Sequence, residues 1–156
     1  MVFQFERFGH QIAFQNTKEG HLSYQQLAEK CDVFQARLAG EKSLVMVHCD
    51  HSIASLIAIF GSLRAGHAVM LADAENDHLI EALKQSYTPD YIYHPQKDDL
   101  EKTHYGSAGS LHEELALLIS TSGSTGSPKT VRLSYEGLVS NAEAIADYLP
   151  ITASDR

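Results

Sequence analysis

Ser122, Ser124 and Thr125 place three hydroxyls within four residues, with Gly123 between them, Gly126 behind them and Lys129 three residues further on. They lie in the stretch Leu117 to Arg132, LLISTSGSTGSPKTVR. Glycine lets a backbone take positive φ and approach an anion closely. Successive N–H groups can then converge on that anion. The hydroxyls add donors, and a lysine adds a mobile point charge. This composition suits a polyphosphate. A Ser/Gly-rich flexible linker has a similar composition. Two details favour a binding loop: apolar, strand-like segments abut both ends, and Pro128 stiffens the exit. No Gly-x-x-x-x-Gly-Lys-Ser/Thr phosphate loop occurs. Gly61 and Gly66 have its spacing, but His67 follows them and they sit in a helical pattern.

A second cluster, His48, Asp50 and His51 with Cys49 between, has metal-ligand residue types. The spacing crosses a strand-to-helix junction, where capping of the next helix by Asp50, His51 or Ser52 is the competing role. Tyr87, Tyr91 and Tyr93 form a patch that reads as packing at a sheet edge. The other histidines are scattered.

The elements that must position these residues can be read from periodicity. Gln11 to Phe14 alternates weakly and Asn16 to Gly20 is turn chemistry, so a small hairpin opens the chain. Ser23 and Gln26 form a capping box, followed by Leu27, Cys31, Phe34 and Leu38 at helical spacing. Ser43 to Cys49 reads as a buried parallel strand. A helix from about Ser52 to Ala65 carries an apolar stripe of Ile53, Leu56, Ile57, Phe60 and Leu63, and Gly66 stops it. Ala68 to Leu71 is a strand, and Asn76 or Asp77 caps a helix through Tyr87. Tyr91 to Tyr93 is a short strand, and residues 96–114 read as a surface loop. Leu115 to Thr121 is the strand feeding the Ser/Thr/Gly loop, with Thr130 to Leu133 beside it. A last helix opens at Ser134, with Leu138, Ala142, Ile145 and Leu149 on one face, and breaks at Pro150. Strands alternating with amphipathic helices imply a layered α/β fold, a largely parallel sheet flanked by helices. Ligand loops in such sheets lie at the carboxyl ends of strands, as this loop does.

Thr121 to Lys129, TSGSTGSPK, resembles the signature phosphate loop of the AMP-forming acyl-activating enzymes. That superfamily comprises acyl- and aryl-CoA synthetases, nonribosomal-peptide adenylation domains and luciferases. One departure follows the loop: Thr130 stands where the family usually has Gly. His21 to Leu27 resembles the family's early Leu-Thr/Ser-Tyr-x-x-Leu segment. Leu63 to Leu71 resembles its Leu-x-Ala-Gly-x-x-x-Val-Pro segment without the Pro. Ile151 to Arg156 resembles the stretch leading into its next strand. The resemblance spans nearly the whole chain.

The resemblance implies the N-terminal subdomain of an enzyme with two steps. A carboxylate attacks the α-phosphate of ATP to give an acyl-adenylate and pyrophosphate. A thiol, of CoA or a phosphopantetheine arm, then takes the acyl group. Thr121, Ser122, Gly123, Ser124, Thr125, Gly126 and Lys129 would hold the β- and γ-phosphates, with Lys129 also the catalytic charge on the leaving pyrophosphate. The family core runs to roughly three times this length. Its Tyr/Phe-Gly-x-Thr-Glu segment, with the Mg2+-binding Glu, is absent here. So are its ribose-binding Thr-Gly-Asp segment and the C-terminal domain with a further catalytic Lys. Residues 1–156 are thus expected to be the N-terminal part of an adenylation domain, inactive alone, whose partners are a small carboxylic acid and the remainder of the enzyme. Such a piece would expose apolar surface and either self-associate or be only modestly stable. The alternative is a naturally short, non-catalytic nucleotide-binding or interaction module.

Composition agrees with a globular domain. At 156 residues the chain can bury about 70% of its unfolded surface. Twelve Lys and Arg against 20 Asp and Glu leave a formal charge of −8, which argues against a nucleic-acid or anionic-membrane partner. Cys31 and Cys49 read as buried free thiols. No apolar run reaches the length of a membrane span, and the first residues lack a signal-peptide core, so a cytoplasmic location is expected.

Overall fold

The computed structural model describes residues 3–16, 18–104, 110–120 and 129–152. A 3-10 turn, Phe5–Phe8, leads into an antiparallel hairpin of β1 (Ile12–Asn16) and β2 (Gly20–Ser23). Helix α1 (Tyr24–Gln35) starts with the expected capping box. The Gln26 N–H donates to Ser23 Oγ at 3.2 Å, and the Ser23 N–H donates to Gln26 Oε1 at 3.0 Å. The helix ends before Leu38, which is nevertheless buried. Strand β3 (Leu44–Cys49) leads to α2 (Ile53–Arg64), and β4 (Ala68–Asp73) leads to α3 (Asp77–Tyr87). The Ser52 and Asn76 side chains accept N–H bonds at the starts of α2 and α3. Strand β5 (Tyr91–His94) is followed by β6 (Asp99–Lys102), β7 (Leu115–Ser120), β8 (Thr130–Ser134) and α4 (Tyr135–Tyr148).

Six of these strands form one sheet in the order β6-β5-β3-β4-β7-β8. The inner four are parallel, and β6 and β8 join antiparallel at the two edges. Alternate residues of the inner strands face two apolar layers, as period-2 side chains must. Val45, Val47, Val69, Tyr91, Tyr93 and Leu117 pack on one face with Phe34 of α1 and Ala58 and Leu63 of α2. Leu44, Met46, Met70, Ile92 and Leu118 pack on the other with Ile80 and Leu83 of α3. The layered α/β fold expected from the sequence is the fold observed.

Three local readings need correction. Residues 96–114 are not loop throughout: Asp99–Lys102 is strand β6, whose ladder to β5 pairs Tyr91 with Lys102 and His94 with Asp99. The apolar stripe of α2 is shifted. Its most buried positions include the small residues Ser55, Ala58, Gly61 and Ser62, because α2 lies against α1 and the sheet at once. A Cβ at Gly61 would come within 3.1 Å of the Cys31 carbonyl and the Phe34 side chain. The three tyrosines do not form one patch. Tyr91 and Tyr93 are buried on the α1–α2 face, whereas Tyr87 packs on the α3 face.

Candidate functional site

The parallel strands deliver their carboxyl ends to one edge of the sheet, where α/β proteins bind ligands. Strand β7 ends there at Ser120 and β8 begins at Thr130, and these two residues face each other in the ladder. Ile119 and Val131 are the preceding pair. The Ser/Thr/Gly segment therefore leaves and re-enters the sheet at one paired position. Thr121, Ser122, Gly123, Ser124, Thr125 and Gly126 lie outside the described residues. Lys129 lies within them and is exposed.

Beside this position is a crevice of about 600 Å3, lined by Cys49, Asp50, His51, Asp73, Gln96 and Ser120 among others. Asp50 is engaged in hydrogen bonds at the start of α2. Its Oδ1 accepts from the Ser52 N–H at 3.1 Å, from the Ser52 hydroxyl, and from the Ser55 hydroxyl at 2.7 Å. Burial pushes this carboxyl up, but the bonds from Ser52 and Ser55 outweigh it and hold the group below its ordinary value. Ser52 in turn caps α2 by accepting from the Ser55 N–H at 3.2 Å. Of the two roles open for the cluster, capping is the one seen. Among the described residues, no group of three His, Cys, Asp or Glu could hold a metal ion. Burial raises the Cys49 thiol to about 11 and the Cys31 thiol to about 12, so both stay protonated and weakly nucleophilic at neutral pH.

His48 and His94, on neighbouring strands, meet edge to face with ring centroids 4.5 Å apart. They share a pocket of about 200 Å3 with Pro95 and Lys97. Burial, then the nearby His94 and Lys84, depress His48 to about 4. This pairing depends on register across two strands 46 residues apart in sequence, which periodicity does not reveal. The contact made by Tyr87 was missed for a similar reason. Its hydroxyl reaches Thr130 Oγ1 at 2.7 Å, tying the end of α3 to the first residue of β8.

Sequence comparison finds relatives among peptide synthases. The chain is 27% identical over 162 residues to zwittermicin A synthase ZmaJ of Bacillus cereus, covering 88% of this chain and 31% of ZmaJ. It is 30% identical over 174 residues to tyrocidine synthase 1 of Brevibacillus parabrevis, covering 93% of this chain and 15% of that protein. In structure it resembles ATP-bound MatB from Rhodopseudomonas palustris, with a TM-score of 0.75 at 18% identity over 97% of this chain and 38% of MatB. It also resembles the N-terminal subdomain of Klebsiella oxytoca NpsA, solved with 3-hydroxybenzoyl-AMSN, with a TM-score of 0.66 at 19% identity over 88% of this chain and 41% of NpsA. The relatives it matches are AMP-forming acyl-activating enzymes, of which it covers a small part. Its fold is that of their N-terminal subdomain. No protein-family model matches it. The chain spans about a third of the length of ZmaJ and less of tyrocidine synthase 1, so it aligns with a fragment of these acyl-activating relatives. Among the described residues, no helix is long and apolar enough to cross a membrane.

Proposed function

We propose that this chain supplies the polyphosphate-binding part of an ATP-dependent, AMP-forming ligase, which activates a carboxylic acid as its adenylate and passes it to a thiol of CoA or a phosphopantetheine arm. The observation that carries this reading is the Ser120–Thr130 pair at the carboxyl edge of a parallel sheet. It encloses a family-like Thr-Ser-Gly-Ser-Thr-Gly sequence and presents Lys129 next to the pair. Thr121 to Gly126 would donate N–H and hydroxyl groups to the β- and γ-phosphates. Lys129 would neutralise charge on pyrophosphate as it leaves. Chemistry of this type is governed by positioning and electrostatic stabilisation.

The remaining groups are assigned to further polypeptide of the kind the longer relatives possess. The described residues do not fit a Mg2+ site of their own, so no step in this chain is routed through the metal. The ribose and acyl pockets are likewise placed outside residues 1–156, and the chain is expected to work in a soluble, cytoplasmic enzyme.

The test is binding of ATP and of inorganic pyrophosphate to the chain by calorimetry, in wild type and Lys129→Ala. Loss of one charged contact is expected to weaken binding about 10- to 100-fold. A wild-type chain that takes up neither ligand, or a Lys129→Ala variant that binds as well as wild type, would overturn the assignment.

A further inference from the structure

We infer that Tyr87 and Thr130 are positioning residues for Lys129, a pair of side chains that fixes the exit of the phosphate segment in this chain. The inference rests on the function proposed above and deepens it. Two independent constraints converge on Thr130. Its backbone is held in the β7–β8 ladder opposite Ser120. Its hydroxyl shares a 2.7 Å hydrogen bond with the hydroxyl of Tyr87. Thr130 is bonded directly to Lys129, so fixing residue 130 restricts where the lysine backbone can lie.

The Tyr87 end of this bond is packed in place. Ile80 and Leu83 anchor α3 to the sheet, and the Tyr87 ring packs against the same apolar layer. Thr88 follows with φ of 44° and donates its N–H to the Lys84 carbonyl at 3.0 Å. That left-handed cap fixes the direction of the chain just after Tyr87. Tyr87 and Thr130 are both half-buried, which shields their bond from competing water. The residue type at 130 completes the argument. The related family pattern has Gly there, which has no hydroxyl to offer and leaves the backbone free. Threonine is β-branched and stiff at χ1, and its hydroxyl is the atom Tyr87 meets. A lysine held in place by its neighbour has less freedom to lose on meeting an anion, so affinity gains from preorganisation.

The test is ATP affinity and thermal unfolding of the full chain in Tyr87→Phe, Thr130→Val, Thr130→Ser and the Tyr87→Phe/Thr130→Val double variant. Tyr87→Phe and Thr130→Val are each expected to weaken ATP binding about three- to tenfold, the effect of one hydrogen bond. The double variant is expected to be no weaker than either single one, because one bond is lost in all three. Thr130→Ser, which keeps the hydroxyl, is expected to bind within about twofold of wild type. If Tyr87→Phe and Thr130→Val lower the melting temperature but bind ATP as wild type does, the bond is structural only and the inference falls while the phosphate assignment stands. If wild type takes up no ATP, the phosphate assignment fails and the inference falls with it. Tyr87→Phe keeps the ring in its apolar layer, so it reads the bond even if Thr130→Val does not fold.

Discussion

His48 and His67 are kept neutral by their surroundings, and this makes stability depend on pH. Burial lowers His67, and Lys42 adds to the effect. Its Nδ1 accepts the Ser43 N–H at 3.0 Å, a bond that requires the unprotonated nitrogen. His48 lies beside His94, and among the described residues its buried Nε2 has no hydrogen-bond partner. Lys84 of α3 adds to its depression, while Asp77 and Glu81 oppose it. In the unfolded chain both imidazoles take up protons near 6.5. The unfolded state therefore binds more protons between about 6.5 and 4. Stability should be full above about 6.5 and fall as pH drops toward 4. The carboxyls of Glu6, Asp50 and Asp98 are held below their ordinary values, so their contributions are lost only at lower pH. The urea midpoint is expected to fall between pH 7 and 5, and His48→Leu to flatten that fall. A midpoint constant across this window, or an unchanged slope in His48→Leu, would show that His48 titrates normally. At this scale the proposed phosphate residues could be picked out by type and order, because they form one contiguous segment. The sequence could not reveal the Tyr87–Thr130 bond or the His48–His94 contact, because each joins elements far apart in the chain.

Elements with a strong local signal were legible, and those defined by a distant neighbour were not. Ser23 and Gln26 announce α1 through a bond between residues three apart. Val45, Val47 and Val69 announce buried strands through composition. Strand β6 gives no such signal: of Asp99, Leu100, Glu101 and Lys102, only Leu100 is apolar. It is a strand because β5 offers its open edge, and charged residues suit an edge position. The burial of α2 was misjudged because an amphipathic stripe assumes one covered side, whereas α2 is covered on two. Gly61 shows the consequence. The α1–α2 contact is close enough that an added Cβ meets the Cys31 backbone oxygen and Phe34 at 3.1 Å. Gly61→Val should therefore destabilise by about 1–3 kcal/mol through overpacking, although valine is the better helix former. Chemical denaturation measures this directly. A neutral or stabilising valine would mean that α1 and α2 separate without cost.

At the scale of the whole molecule, covered and uncovered surfaces are divided unevenly. Helices α1, α2 and α3 each contribute buried residues, whereas α4 contributes none. Its start is held firmly. The Tyr135 hydroxyl lies 2.8 Å from the His67 carbonyl and 3.0 Å from the Leu63 carbonyl, and Leu138 packs on the α1–α2 face. Beyond that anchor Ile145 and Leu149 are each 45% exposed and Tyr148 is 87% exposed, near an exposed Ile151. Val131 on edge strand β8 is exposed as well. Ile145 and Leu149 are four apart, so they share one side of the helix end. Apolar groups concentrated in this way are costly to hydrate and favour contact with another surface. In the longer relatives, additional polypeptide is available to provide one. In the isolated 156-residue chain, another copy is the surface at hand. The formal charge of −8 opposes that contact and salt screens the repulsion. Sedimentation velocity should therefore show association that grows with protein concentration and grows further with salt. Ile145→Lys/Leu149→Lys should shift the chain toward monomer with little change in melting temperature, because neither side chain is buried. A monodisperse monomer at high concentration and high salt would show that the α4 surface is tolerated in water and needs no cover.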